Sequence, residues 1–258
     1  MLAESVARSD EPLQLLDAPT APSRPSRDLL VATPYLFWKR GFEIFLALAL
    51  SLVAGPLILL CILAVKLTSR GPIFYSQIRV GRSGRPFRIW KIRTMITDAE
   101  AAGARWCVPG DPRVTPVGRF LRNTHLDELP QLWNVLRGDM SLFGPRPERP
   151  EFVPQLEKEI PRYRDRLVVR PGLTGLAQVQ LPPDTDLDSV RRKLACDLYY
   201  VQHVSFWLDL RLILTTAFYL LNLSTTWPCR VLRIPGGEPV QQAYQQLIAG
   251  REEPKDAS

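Results

Sequence analysis

IFLALALSLVAGPLILLCILAV, residues 44–65, decides which kind of fold this chain has open to it. The run holds 22 residues without a charge, enough for a helix across a hydrocarbon core of ~30 Å. Lys39 and Arg40 precede it, and Lys66 and Arg70 follow it. Basic residues favour the cytoplasmic side, so a spanning helix would leave one pair on the disfavoured side. Gly55-Pro56 stands at the middle of the run. Proline lacks a backbone donor and clashes with the preceding turn, which predicts a kink there. A helix that enters, bends at Pro56 and leaves on the same face satisfies both features. A kinked spanning helix is the alternative, since kinks are common inside membranes.

Outward from that run, the first 33 residues carry Pro12, Pro19, Pro22 and Pro25 among Ser, Asp and Arg, with no apolar core. This is not a secretory signal, and residues 1–38 read as a flexible polar tail. Past Arg70, two β-prone runs, Ile73–Val80 and Phe87–Arg93, flank GRSGRP, and the Gly and Pro there predict a hairpin. Its second run is basic on both faces. Such residues suit lipid headgroups, a phosphate ligand or plain solvent. FWLDLRLILTTAFYLLNL, 206–223, has an uninterrupted apolar part too short to span. Trp207, Phe218, Tyr219 and Trp227 suit a membrane interface, and a buried core helix fits the same pattern. The polar end, residues 228–258, reads as a second tail in which VQQAYQQLIAG forms a short helix.

The chain of 258 residues suits one domain with appendages. Lys plus Arg exceed Asp plus Glu by 33 to 26, giving a formal charge of +7. Such an excess suits an anionic partner, whether a membrane surface, nucleic acid or a phosphorylated substrate. Cys61, Cys107, Cys196 and Cys229 lack paired ligand spacing, so neither a zinc site nor a disulfide framework is supported, and a reducing cytosol is the simpler setting.

Chemistry concentrates in THLDELPQLWNVLRGDMSLFGPRP, 124–147. Thr124 and Asp127 have capping-box spacing and Pro130 is tolerated in a first turn, so a helix is expected from about 125–128 to Leu136, ending at Gly138. Acidic residues in a first turn are often plain stabilisers of the helix dipole. Adjacent helical residues point about 100° apart, so Asp127 and Glu128 suit two different tasks, such as nucleophile and metal ligand. Arg146 is fixed between two prolines, and its planar fork suits phosphate oxygens. Lys91, Arg93 and Arg122 add cations upstream. Arg170 precedes a Pro-Gly turn whose amides suit an oxyanion.

KIRTM (91–95), the 126–147 segment and RPGLTGLAQV (170–179), in this order after a basic-flanked apolar run, closely resemble the bacterial sugar transferases. These are monotopic polyprenyl-phosphate hexose-1-phosphate transferases, and the resemblance runs from about Lys39 to about Leu223. It implies an α+β monotopic membrane protein: one re-entrant helix broken at Gly55-Pro56 (39–70), a small β-hairpin, and a helical catalytic domain (71–227) with interfacial amphipathic helices. It implies transfer of a sugar-1-phosphate from a UDP-sugar to undecaprenyl phosphate, with Mg²⁺ and release of UMP, at the cytoplasmic face of the bacterial inner membrane. The family's catalytic pair falls on Asp127, its nucleophile, and Glu128, beside the metal. Lys91, Arg93, Arg122, Arg146 and Arg170 are the expected phosphate ligands, with Asp197 of the family's Asp-x-Tyr-Tyr as a further site residue or a local cap. Glu43, Ile92 and His125 depart from the family's usual residues without removing a catalytic group. The chain resembles the small form, without the four extra membrane helices of the large members.

Anionic lipids are expected partners and a homo-oligomer is compatible with this reading. A nucleic-acid binder is not, because the apolar run and the site motifs have no place in one. A non-catalytic scaffold of a polysaccharide assembly complex is the competing class, and the intact carboxylate pair argues against it. The transferred sugar is not legible.

Overall fold

The apolar run forms a helix longer than its uncharged centre. In the computed structural model, which describes residues 34–99, 101, 110–184, 186–221 and 223–249, helix α1 spans Tyr35–Thr68. Its 34 residues extend about 51 Å at the α-helical rise. Residues 35–38 therefore belong to the helix and not to a tail. Residues 1–33 and Cys107 lie outside the described residues. The helix is continuous through Gly55 and Pro56, so the expected break is not a loss of helix. Proline deletes one donor, and the rest of the ladder holds. A Cβ at Gly55 would meet nothing within 4 Å, so no close contact demands glycine there.

One stripe of α1 is buried: Tyr35, Glu43, Ala47, Ala54, Cys61 and Val65. Spacings of four, seven and eight keep these on one face. The other face is bare, with Phe37 93% and Leu52 80% exposed. Two polar ties fix the ends of this stripe. Near the start, Lys39 lies 2.9 Å from Glu43 and also bonds Asp209, which is 0% exposed. Tyr35 and Tyr200 donate to the same Asp209 carboxylate at 2.5 and 2.8 Å, and Ser141 donates to Glu43. Past the end, Arg93 donates to the carbonyls of Arg70 (2.6 Å) and Ser69 (3.1 Å) and to the Ser69 hydroxyl (2.9 Å). The helix thus lies along one domain from end to end.

The hairpin forms as expected. Strand β1 (Phe74–Val80) pairs antiparallel with β2 (Pro86–Ile92), Gln77 facing Ile89. Ser83 (φ 57°) and Gly84 (φ 80°) supply the left-handed turn between them. Helix α2 (Pro116–Asn123) is capped by the Thr115 hydroxyl, which accepts from Gly118 N at 2.9 Å, with proline at its first position. Gly118 sits against Thr94, where a Cβ would come within 2.0 Å of a carbonyl oxygen.

The 124–147 segment folds as a 3₁₀ turn, Leu126–Gln131, running into α3 (Leu132–Arg137) and ending at Gly138 with φ 95°. Strand β3 (Ser141–Phe143) then pairs parallel with β4 (Gly172–Thr174). Around them pack α4 (Val153–Glu159), α5 (Leu187–Gln202) and α6 (Phe206–Leu220). Met140, Ile160, Leu198 and Leu212, all 0% exposed, lie in the core they share. Helix α6 meets the core expectation, burying Leu208, Asp209, Leu212 and Thr215, while Trp207 stays exposed.

The expected C-terminal tail is folded through residue 249. Helices α7 (Thr226–Val231) and α8 (Glu238–Ala249) follow α6. Val240 and Tyr244 of α8 are buried in the main core, and Arg162 donates to the Leu247 carbonyl at 2.7 Å. Polar composition hid this because two apolar side chains suffice to dock a short helix on a neighbour that is already in place.

Candidate active site

Asp127 and Glu128 stand on the 3₁₀ turn, which the chain enters through His125 in the left-handed conformation (φ 56°, ψ 14°). The His125 ring lies 4.6 Å from that of Tyr219 on α6. The capping box expected of Thr124 and Asp127 does not form. The Thr124 hydroxyl donates back to the carbonyls of Phe120 (2.9 Å) and Leu121 (3.2 Å), and no side chain caps the turn. Asp127 is thereby left to face the cleft.

The two carboxylates have opposite surroundings. Lys91 reaches Glu128 Oε1 at 2.7 Å, and the fork of Arg146 spans both oxygens at 2.5 and 3.3 Å. Burial alone would raise the Glu128 carboxyl, but Arg146 and Lys91 outweigh it and hold it well below the usual range. Asp127 is 6% exposed. Among the described residues no hydrogen bond or ion pair reaches its carboxylate. Burial pushes it up to about 6, with Glu128 adding to the rise and Lys91 opposing it. Burial also lowers His125, which keeps its ring neutral at pH 7.

Both carboxylates line a cleft of about 1780 Å³. Lys91, Arg122 and Arg146 stand on its charged wall. Leu46, Leu50, Val53 and Leu57 of α1 form an apolar wall of the same cleft. Arg122 also donates to the Thr94 hydroxyl at 2.8 Å.

Of the three other expected site residues, Arg93 lines this cleft, and Arg170 and Asp197 do not. Arg93 is 6% exposed and holds the main chain after α1, as described above. Its Nη1 and Nη2 are bonded to Arg70 and Ser69. The amide of Gly172 in the turn that follows Arg170 already donates to the Pro145 carbonyl at 2.8 Å, so it is not open to an oxyanion. Asp197 is 2% exposed and does not line the cleft, whereas its partner Arg166, 2.7 Å away, does. The sequence singles out Tyr219 only as an interfacial aromatic and does not single out Arg166. Neither lies in the carboxylate segment, and no linear spacing marks a contact made across the fold.

Among the described residues, no group of three or more His, Cys, Asp or Glu side chains is placed to hold a metal. Mg²⁺ does not need such a cage. It is usually held by one or two carboxylates and the substrate's phosphates. The hard oxygens of Asp127 and Glu128 fit that manner of binding.

A sequence profile described as bacterial sugar transferase matches residues 34–223. A UDP-N-acetylgalactosamine-undecaprenyl-phosphate N-acetylgalactosaminephosphotransferase of Aeromonas hydrophila is 45% identical over 188 residues, covering 73% of this chain and 44% of that protein. A UDP-glucose:undecaprenyl-phosphate glucose-1-phosphate transferase of Caulobacter vibrioides is 44% identical over 191 residues, covering 73% and 72%. The exopolysaccharide production protein PSS of Rhizobium leguminosarum is 41% identical, over 70% of this chain and 94% of that one. The match thus spans less than half the length of the Aeromonas relative and most of the Rhizobium one.

Proposed function

The chain belongs to the bacterial sugar transferase family, and from that premise we propose that it transfers a sugar-1-phosphate from a UDP-sugar to undecaprenyl phosphate. The observation that carries this reading is the unlike pair of carboxylates. Asp127 is buried, without a hydrogen-bond partner among the described residues, and faces the cleft, while its neighbour Glu128 is gripped by two cations. A carboxylate without partners is the better nucleophile of such a pair.

An Asp127 oxygen attacks the β-phosphorus of the donor. The bond from that phosphorus to the oxygen bridging the two phosphates breaks, and UMP leaves with that oxygen. Asp127 then carries the sugar phosphate as an acyl phosphate. A phosphate oxygen of the lipid attacks the same phosphorus, the bond to Asp127 breaks, and the carboxylate is restored. Lys91 and Arg146 supply the positive charge that lets an anionic nucleophile approach an anionic donor. Mg²⁺, held by Asp127 and Glu128, would add further neutralisation of the pyrophosphate. The apolar wall from α1 suits the isoprenoid chain, so the cleft suits a soluble donor and a lipid acceptor together.

Membrane attachment fits a re-entrant α1 bent at Pro56, with the domain on the cytoplasmic face. A spanning helix would separate its ends by a hydrocarbon core of ~30 Å. Here both ends are tied by buried polar contacts to one domain, which supports re-entry. Relatives named for glucose and for N-acetylgalactosamine leave the sugar open.

Intact-protein mass spectrometry after incubation with a panel of UDP-sugars, without lipid acceptor, tests the covalent step. Wild type should gain one sugar phosphate and release one UMP, and undecaprenyl phosphate should discharge it. Asp127→Asn should show neither. An adduct on the Asn variant, or turnover that never loads wild type, would remove Asp127 from this role.

A further inference from the structure

Arg146 owes its place to more than its two flanking prolines. Gly172 N donates to the carbonyl of Pro145 at 2.8 Å. Arg166 Nη2 donates to the carbonyl of Arg146 itself, also at 2.8 Å. Arg79 Nη1 donates to the carbonyl of Pro147 at 3.1 Å. Three successive carbonyls thus each meet a fixed donor.

Arg166 is in turn held on two further sides. Its Nη1 donates to the Tyr163 hydroxyl at 2.8 Å, and its Nη2 lies 2.7 Å from Asp197 Oδ2 on α5. Arg166 and Asp197 are 8% and 2% exposed. A buried ion pair returns little net stability against two apolar residues of the same size. What it does supply is direction, because a guanidinium fork fixed by a carboxylate presents its remaining N–H groups along set lines.

We propose that Asp197 and Arg166 form a positioning pair that fixes the Arg146 main chain, and so sets how the Arg146 fork meets Glu128. Asp197 does not touch substrate; it acts through Arg166 and then through Arg146. This gives a specific role to Asp197, expected from the sequence as a further site residue or a local cap. In its kinetic consequences the inference rests on the transfer reaction proposed above.

The test is a double-mutant cycle with a structural reading beside it. Asp197→Asn keeps size and removes charge. Its kcat/KM for UMP release should fall about tenfold to a hundredfold, the scale of a misplacement of about 1 Å near the chemistry. In an Arg146→Ala background the same substitution should cost no further loss, because the group it positions is gone. An equal loss in both backgrounds would overturn the proposal and leave Asp197 a general stabiliser.

The second measurement does not need activity. In protein labelled with ¹⁵N-arginine, the guanidinium signal absent from Arg146→Ala belongs to Arg146. Asp197→Asn should release its restricted Nη exchange while that of Arg113, gripped by Asp111 at 2.6 Å, stays restricted. An unchanged Arg146 signal would also overturn the proposal. If wild type releases no UMP from any donor, the reaction proposed above fails, and the guanidinium signal still decides the positioning role. Should Asp197→Asn not fold, Tyr163→Phe removes one anchor of Arg166 with its ring retained. It should give a smaller loss with the same dependence on Arg146, and a loss independent of Arg146 would count against the pair.

Discussion

A carboxylate buried without partners is a cost that the fold carries, and the proposed reaction gives that cost a use. Asp127 is pushed from an ordinary 3.8 up to about 6. A carboxyl raised on folding binds its proton more tightly in the folded state, so stability present at low pH is lost as pH rises through that window. Asp127→Asn should therefore melt higher than wild type at pH 7.5, by roughly 1–3 kcal/mol, with the gap closing near pH 4. The same variant should lose at least ~10³-fold in UMP release, several kcal/mol of barrier. A variant no more stable than wild type would mean that the charge of Asp127 is compensated in the fold. The kcat/KM of wild type should fall below about pH 6, since its limbs report the free enzyme's groups. At this scale the sequence was legible where chemistry is local. Asp127, Glu128 and Arg146 share one segment, and Lys91 sits in its own short motif. The contacts of Arg93 were not legible because a guanidinium suits a carbonyl as well as a phosphate, and only the fold decides which it meets.

Elements followed their patterns where periodicity or turn chemistry was strong. The hairpin matched to within a residue because Gly and Pro at 81–86 leave one way to turn. The 3₁₀ character of Leu126–Gln131 was not legible, since a proline at 130 is compatible with either helical type. For α1 the pattern gave a helix, and the ties at Lys39 and Arg93 were hidden because their partners come from distant segments. Pro56 carries the topology prediction. Pro56→Leu, with Gly55→Leu beside it, should stiffen the helix and favour spanning, since the uncharged run of 22 residues is long enough. A cysteine introduced as Ser5→Cys should resist a membrane-impermeant reagent in intact cells with wild-type α1, and should become labelled in the straightened variant. Labelling with wild-type α1 would show that the helix spans.

For the whole molecule, the domain extends past the expected boundary at residue 227 and includes α8. Truncation after Gly237 would strip Val240 and Tyr244 from the core, together with the Arg162–Leu247 and Tyr244–Pro161 hydrogen bonds. The loss should be about 3–5 kcal/mol from the two side chains, seen as a lower Tm; an unchanged Tm would mean that α8 docks without stabilising. The two ties of α1 have a consequence of another kind. A helix free to tilt adjusts to the thickness of its bilayer, and its hydrophobic mismatch is shared with the lipid. One pinned at Lys39 to Asp209 and past Thr68 to Arg93 has its angle to the catalytic cleft set by the protein. The height of Asp127 above the acyl chains is then a property of the fold. Turnover in nanodiscs should accordingly stay nearly level from short-chain to long-chain phosphatidylcholines. Loosening the first tie with Asp209→Asn should make the rate follow bilayer thickness.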